Sequence, residues 1–364
     1  WSLTRYADVV TGYREHMTLS STAGTFLGGS FGSDWDTAAG RMLVSSDPPQ
    51  QRNLRQVMHQ VFAPHMLERV SAKVTELIDA AIDRALADGG CDFAAVAREL
   101  PAGALMAMVD IPHSDAAFLI ERTHAIVGTT DPVEVAGTGS ERMRLAGIQA
   151  DIFEYFTDLL EERRHAPGDD LVGILLRAQV NGRPMQDEEI LFNCLNVAVG
   201  GNETSVYSSC TGLVTLIEHP DQYHALLTGE AALEPALDEI LRWSSPNAYD
   251  SRRAKQPLEI GGKTIRAGDA VALWIVAANR DPEQFRDPHR FDITRSPNRH
   301  VAFGSGIHRC IAAAFGQTEL AIVYRRMIAD RIRFELDGDP TPIHSNFMLG
   351  YASVPVRVAD ARPR

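Results

Sequence analysis

Cysteine is scarce in this chain of 364 residues: only Cys91, Cys194, Cys210 and Cys310 occur, with no paired spacing between them. That excludes a disulfide framework and points to a reducing compartment, so a cytoplasmic protein is expected. It also excludes a zinc site of the clustered Cys/His kind, so a bound metal must be held largely by something other than protein. Long apolar runs are missing too. The longest, "AVALWIVAA" from Ala270, is about half of what a bilayer requires, so no membrane span is expected. Basic charge is outnumbered, 35 Lys and Arg against 48 Asp and Glu, and the net charge of −13 argues against nucleic acid as a partner. The chain opens at Trp1 with no basic segment leading into an apolar one, so no signal peptide is visible.

What is present is a composition for a large core, 45% hydrophobic and 23% charged. From Arg5 to about Leu241 the pattern is mostly helical. "VSAKVTELIDAAIDRALADGG" places apolar residues three and four apart and stops at a glycine pair; "MRLAGIQADIFEYFTDLLEERRHAPGDD" closes on basic residues and Pro-Gly. Residues 20–40, "SSTAGTFLGGSFGSDWDTAAG", form a long small-residue loop of the kind that is usually functional or mobile. After Trp243, "LEIGGKTIRAGDAVALWIV" reads as a short sheet. The Pro-, Asp- and Arg-dense "NRDPEQFRDPHRFDITRSPNRH" reads as an irregular ordered coil. A helix from Cys310 to about Ala329 and a β-like tail "VPVRVAD" follow. The expectation is a mainly α fold with a smaller β-rich portion, in one domain over residues 1–364.

Several constellations could carry chemistry. In "FGSGIHRC" (303–310), Gly304 and Gly306 let a loop turn tightly into what reads as a helix start at Cys310. A helix N-terminus facing the sulfur favours the thiolate, and Phe303 could cover a flat apolar ligand. This suits a thiolate on haem iron; the same residues equally suit a buried structural cysteine beside a flexible loop. In "LNVAVGGNETSVYSS", Gly200 and Gly201 interrupt a helix-like run from about Asp187 to Glu218, each costing about 1 kcal/mol against Ala. A ligand lying against the helix would explain them, with Glu203 and Thr204 able to relay protons; close helix packing would explain them too. "EILRW" sets Glu239 and Arg242 three apart, as many surface pairs are. Arg55 of "DPPQQRNLRQV" and Arg252 of "YDSRRA" could meet carboxylates or simply face solvent.

The order GGNET, E-x-x-R, R-x-A before a small sheet, P-x-R-F and F-G-x-G-x-H-x-C resembles the cytochrome P-450 superfamily. The match runs from "RYADVV" to "VPVRV" and is most similar to the soluble bacterial haem-thiolate monooxygenases. The resemblance implies a haem b (iron protoporphyrin IX) between the long central helix and the cysteine loop. Cys310 would ligate the iron, and Phe303, Gly304 and Gly306 would shape the loop. Arg55, Arg252 and His308 would hold the propionates. Glu239 and Arg242 would pair with Arg290 as a structural lock. Gly200 and Gly201 would form the oxygen groove, and Thr204 with Glu203 would serve proton delivery. Gln51 departs from a common propionate-binding His, and Ala312 from a common Gly. The helix and strand that usually precede the first motif have no counterpart here, which suggests truncation.

By the same resemblance, the reaction is hydroxylation or another oxidation of a small organic molecule, a secondary-metabolite intermediate, with O2 and two electrons from a ferredoxin and ferredoxin reductase. Substrate contacts are expected from residues 20–40, Val197, Asn247, Tyr249, Met348 and Leu349. The small-residue loop could also admit a substrate tethered to a carrier protein. Arg52, Arg55, His59 and Arg309 would make a basic docking patch near the thiolate. Two alternatives stay open: a haem-thiolate enzyme that couples, cyclises or nitrates, and a non-catalytic haem-binding protein.

Overall fold

A computed structural model describes residues 1–24, 37–127 and 139–359. Helix α1 (Tyr6–Arg14) is followed by α2 (Gln50–Val61) and α3 (Pro64–Asp88). Next come α4 (Phe93–Ala97) and α5 (Glu99–Leu105), the latter running into a π-helical turn at Met106–Asp110, then α6 (His113–Val127), α7 (Gly139–His165) and α8 (Leu171–Arg177). The central run is α9 (Asp187–Asn202) and α10 (Thr204–Glu218). After it come α11 (Pro220–Thr228), α12 (Leu233–Ser244), the short α13 (Ile275–Ala278) and α14 (Ala313–Ala329). The mainly helical fold expected from periodicity is the one observed.

Local chemistry explains the boundaries. In α3, Met66, Val70, Val74, Ile78, Ile82 and Ala85 recur at helical spacing and are buried, Pro64 stands at the first turn, and Gly89 ends the helix at φ 75°. That stripe packs against α5 and α14, and at Gly103 the α5 backbone comes so close that an added Cβ would lie 2.9 Å from Val74. The buried faces of most helices join in one large apolar cluster.

The β-rich portion is a set of small sheets. The largest has four strands in the order Ser2–Leu3, Ala270–Trp274, Tyr249–Ala254, Leu19–Ser20, with the first pair parallel and the others antiparallel. Leu258–Ile260 and Lys263–Ile265 form a hairpin about their Gly-Gly turn, within the stretch expected to be a short sheet. The tail strand Pro355–Val358 lies between Phe334–Leu336 and Gly90–Asp92, antiparallel to both.

Two helix expectations need correction. The run from Asp187 to Glu218 has the expected ends, but it is not one helix: regular structure breaks at Glu203 (φ −108°, ψ −37°), just past the glycine pair. The helix expected to begin at Cys310 begins at Ala313, so the cysteine sits in the loop before it.

Candidate active site

The cysteine loop is shaped by its own backbone and clamped from outside. The Cys310 amide donates to the Phe303 carbonyl at 2.8 Å, and the Gly304 amide to Val301 at 2.8 Å. Gly304 and Gly306 adopt φ +65° and +67°, and a Cβ at Gly306 would lie 2.9 Å from the Tyr13 carbonyl oxygen, so glycine is required there. From α2, Gln51 Nε2 and an Arg55 guanidinium nitrogen donate to the Ile307 carbonyl at 2.8 and 3.1 Å, and Arg55 also reaches the Arg309 carbonyl at 2.8 Å. Ser21 Oγ lies 3.1 Å from His308 Nε2.

Cys310 is half-buried, with its free thiol among the groups lining an internal cavity of about 210 Å³. Burial pushes the thiol up; the Ala312 amide, Arg309 and Arg55 pull it the other way. The expected net lowering by a helix start is therefore not observed, because the sulfur is desolvated and the helix begins three residues later.

Three separate segments meet around that cavity. The central helices contribute Gly200, Thr204, Ser205 and Ser208; the loop contributes Phe303, Gly304, His308 and Cys310; the sheet contributes Asp250 and Arg252. Space is open where a Gly200 side chain would be, and the Thr204 hydroxyl leans back to the Gly200 carbonyl at 3.4 Å. Arg252 is buried. It donates to the Ser251 carbonyl at 2.7 Å, stacks over Tyr13, and has its nearest acidic oxygen, from Asp250, 3.9 Å away. His308 is pushed down to about 3 by burial first and then by Arg252, with Asp47 opposing. A buried guanidinium and a disfavoured imidazolium facing one cavity call for an anion.

Other expected site residues fall elsewhere. Glu203 turns away from Thr204 into a second cavity, where its Oε2 lies 3.0 Å from His124 Nδ1. Gly201 is exposed and outside the lining of the thiol cavity. Arg55, expected on a propionate, instead holds two loop carbonyls, because α2 runs beside the loop. Of the expected substrate contacts, Asn247 lines the cavity, while Val197 packs against the main core. Tyr249 is fully buried between Trp274 and Phe347 (ring centroids 4.9 and 5.5 Å), since its strand turns that side chain into the sheet. Met348 pairs with Asn247 as an isolated bridge, and Leu349 packs beside Tyr249; neither lines the cavity. Of the 20–40 loop, residues 25–36 lie outside the described residues.

The Glu239–Arg242 pair is a buried lock. Arg242 Nε and a terminal nitrogen grip both Glu239 oxygens at 2.7 and 2.8 Å, with both side chains fully buried, and Arg242 also donates to the Asn279 and Pro288 carbonyls. The third member is not Arg290, whose side chain is exposed and which meets Arg242 through its carbonyl. It is Arg295, whose Nε lies 3.1 Å from Glu239 Oε2 while its other nitrogens take the carbonyls of Arg286, Asp287 and Arg290. A turn with Asp287 at φ 48° throws Arg290 outward and folds Arg295 back. Nothing in a coil without periodicity singles out Arg295 from the sequence.

The cavity fits a haem. Among the described residues no group of His, Cys, Asp and Glu could hold a metal ion. A lone thiol therefore suits an iron that brings its other ligands with it, and Arg252 with His308 offers the anion site that propionates need. The comparisons agree. A family model described as Cytochrome P450 matches residues 232–358. Cytochrome P450 NovI of Streptomyces niveus is 33% identical, over 98% of this chain and 86% of that protein. A methyl-branched lipid omega-hydroxylase of Mycobacterium bovis is 32% identical over 98% and 83%. The crystal structure of P450 OxyD, involved in the biosynthesis of vancomycin-type antibiotics, is 30% identical and superposes with a TM-score of 0.86 over 99% of this chain and 89% of that one. No helix among the described residues is long and apolar enough to cross a membrane. The chain belongs to the cytochrome P450 family: it is a haem-thiolate monooxygenase that acts with dioxygen and redox partners on a small organic molecule.

Proposed function

We propose that this monooxygenase hydroxylates a small secondary-metabolite intermediate in the cytoplasm, with haem b on Cys310 and electrons from a ferredoxin and its reductase. The observation that carries the reading is the meeting of Cys310, Arg252, His308 and Thr204 on one cavity. The bound haem would supply dioxygen activation, favoured by the thiolate's electron donation. The chain's own residues do the rest. Arg252 and His308 hold the propionates. The open wall at Gly200 admits a small ligand beside the helix. Thr204 presents a hydroxyl to that space, and Glu203, next in the backbone but turned into the second cavity, is the acid that would supply it from the far side of the helix break.

Asn247 sets a hydrogen-bonding group beside the apolar Leu241, Ile275 and Val44, which suits a substrate with a polar function on an apolar body. The likeness to OxyD favours an antibiotic-type intermediate, free or on a carrier protein. Arg52, His59 and Arg309 are exposed on the thiolate side of a chain with net charge −13, a local basic face for an acidic ferredoxin.

The test is the absorption spectrum of the reduced protein with carbon monoxide, for wild type and C310A. A strongly red-shifted Soret band present in the first and lost in the second is expected. A band typical of imidazole ligation in the wild type, or no haem at all, would refute the reading. Product analysis with candidate substrates then separates hydroxylation from coupling or cyclisation.

A further inference from the structure

Glu203 faces a cavity of about 350 Å³ on the other side of the helix break from Cys310. Its carboxylate is buried and has two neighbours that can donate: His124 Nδ1 of α6 at 3.0 Å, and the hydroxyl of Tyr207, which also lies 3.4 Å from His124 Nδ1. A second bond ties the same two segments, Asn202 Nδ2 to Thr123 Oγ1 at 2.7 Å, so α6 is registered on the break. The His124 side chain is 34% exposed and that of Glu203 4%. The imidazole thus stands between solvent and a carboxylate that is itself almost fully buried.

We propose that His124 is the solvent-side proton donor to Glu203. Water in the second cavity gives a proton to Nε2, and the Nδ1 proton passes to Glu203 Oε2. The ring is left as the neutral Nε2–H tautomer, the carboxylate as the acid, and the water as hydroxide that bulk solvent neutralises. The acid then carries the proton past the break toward Thr204, and the ring resets through solvent. Tyr207 is a positioning residue: burial and the Glu203 charge push its phenol far up, so it stays a donor that steadies the carboxylate.

Other titratable groups facing this space are Arg98 and Glu99 at the α4–α5 junction, Tyr351 near the C-terminal end, and His113 and Glu121 on α6 itself. His113 and Glu99 are paired at 2.9 Å. Toward α7, Arg122 is paired with Asp151 and Asp115 accepts from Tyr155. Of the titratable groups facing the cavity, His124 and Tyr207 meet Glu203, and of these two His124 is the one with a second ring nitrogen through which a proton can enter.

The inference rests on Glu203 feeding Thr204, and the experiment separates the two. H124Q keeps a side-chain donor but cannot take up a proton. E203Q removes the acid, and H124Q/E203Q joins the changes. Each holoenzyme is first checked for the thiolate-type carbon monoxide spectrum. The decay of the reduced protein after mixing with dioxygen is then followed spectrally from pH 5.5 to 8.5 in H2O and D2O. Infrared difference spectra between acid and neutral pH report the carboxyl.

H124Q and E203Q should each slow the decay by about a hundredfold, the low end for a positioned acid–base group. Both should flatten its pH dependence, and the double variant should be no slower. A carboxyl band absent in E203Q should change its titration in H124Q. E203Q slow with H124Q like wild type in rate and infrared titration overturns the role of His124 while leaving that of Glu203. Neither variant slow overturns both. Should H124Q not bind haem, H124N and the wild-type titration make the same decision.

Discussion

Replacing Arg295 by Ala should damage the protein far more than replacing Arg290. Arg295 makes four hydrogen bonds, one to a fully buried Glu239 and three to backbone carbonyls, while itself nearly buried. At about 1 kcal/mol net for each, the loss is about 4 kcal/mol, within the range for breaking a buried ion pair. Glu239 keeps its two bonds to Arg242, the Asp292 amide and Asn298, which stops the loss from growing further. A chain of 364 residues has an unfolding entropy near 0.8 kcal/mol per degree, so the melting midpoint should fall by about 5 °C. The Arg290 side chain is exposed, and R290A should shift the midpoint by under 1 °C, as surface changes do. The assay is thermal unfolding of both holoenzymes by circular dichroism at one scan rate and haem loading. Equal losses, or a larger one for R290A, would refute the assignment of Arg295 to the lock.

Other perturbations follow from the same geometry. G306A forces a side chain onto a φ of +67° and against the Tyr13 carbonyl, so it should cost about 2 kcal/mol and convert part of the carbon monoxide spectrum to the non-thiolate form; an unchanged spectrum and midpoint would count against the strained loop. Burial pushes Glu319 up to about 7, opposed by the Ser205 hydroxyl. The folded state therefore binds the extra proton, this contribution to stability is full below the ordinary carboxyl value of 4.5, and it is lost as pH rises to about 7. The loss is about 3 kcal/mol, so E319Q should melt about 4 °C above wild type at pH 8 and level with it near pH 4.5, checked by melting across pH. Y249A should lose about 4 kcal/mol through the void left between Trp274 and Phe347. N247L should instead keep its melting midpoint and change which small molecules perturb the haem spectrum.

The parts of the fold read correctly from sequence are those governed by periodicity or turn chemistry. The α3 stripe, the Asp187 and Glu218 ends of the central run, and the Gly-Gly hairpin all carry their reason within a few neighbouring residues. The glycine pair signalled an opening in the central helix but not its direction. Side chains on either side of a break diverge, and Glu203 and Thr204, adjacent in the chain, face different cavities. His124 and Tyr207 were missed because their meaning depends on α6 packing against the end of α9 at the break, a contact between segments about 80 residues apart. Arg290 was misplaced for a related reason. A motif identifies a residue type near a site, whereas its partner is chosen by how the surrounding coil bends, as the Asp287 turn chooses Arg295.

The clamp on the cysteine loop also sets the order in which the molecule can be made. Gln51 and Arg55 leave the ribosome some 250 residues before the carbonyls they grip, and Tyr13 and Ser21 earlier still. At elongation rates of about 5–20 residues per second those donors wait roughly 10–50 s for their acceptors. A nascent chain can build α2 and α3 early, but it has no pocket to close around an iron porphyrin until residues 303–310 have emerged. Cofactor capture therefore waits for residues 303–310 to emerge, however early haem is supplied.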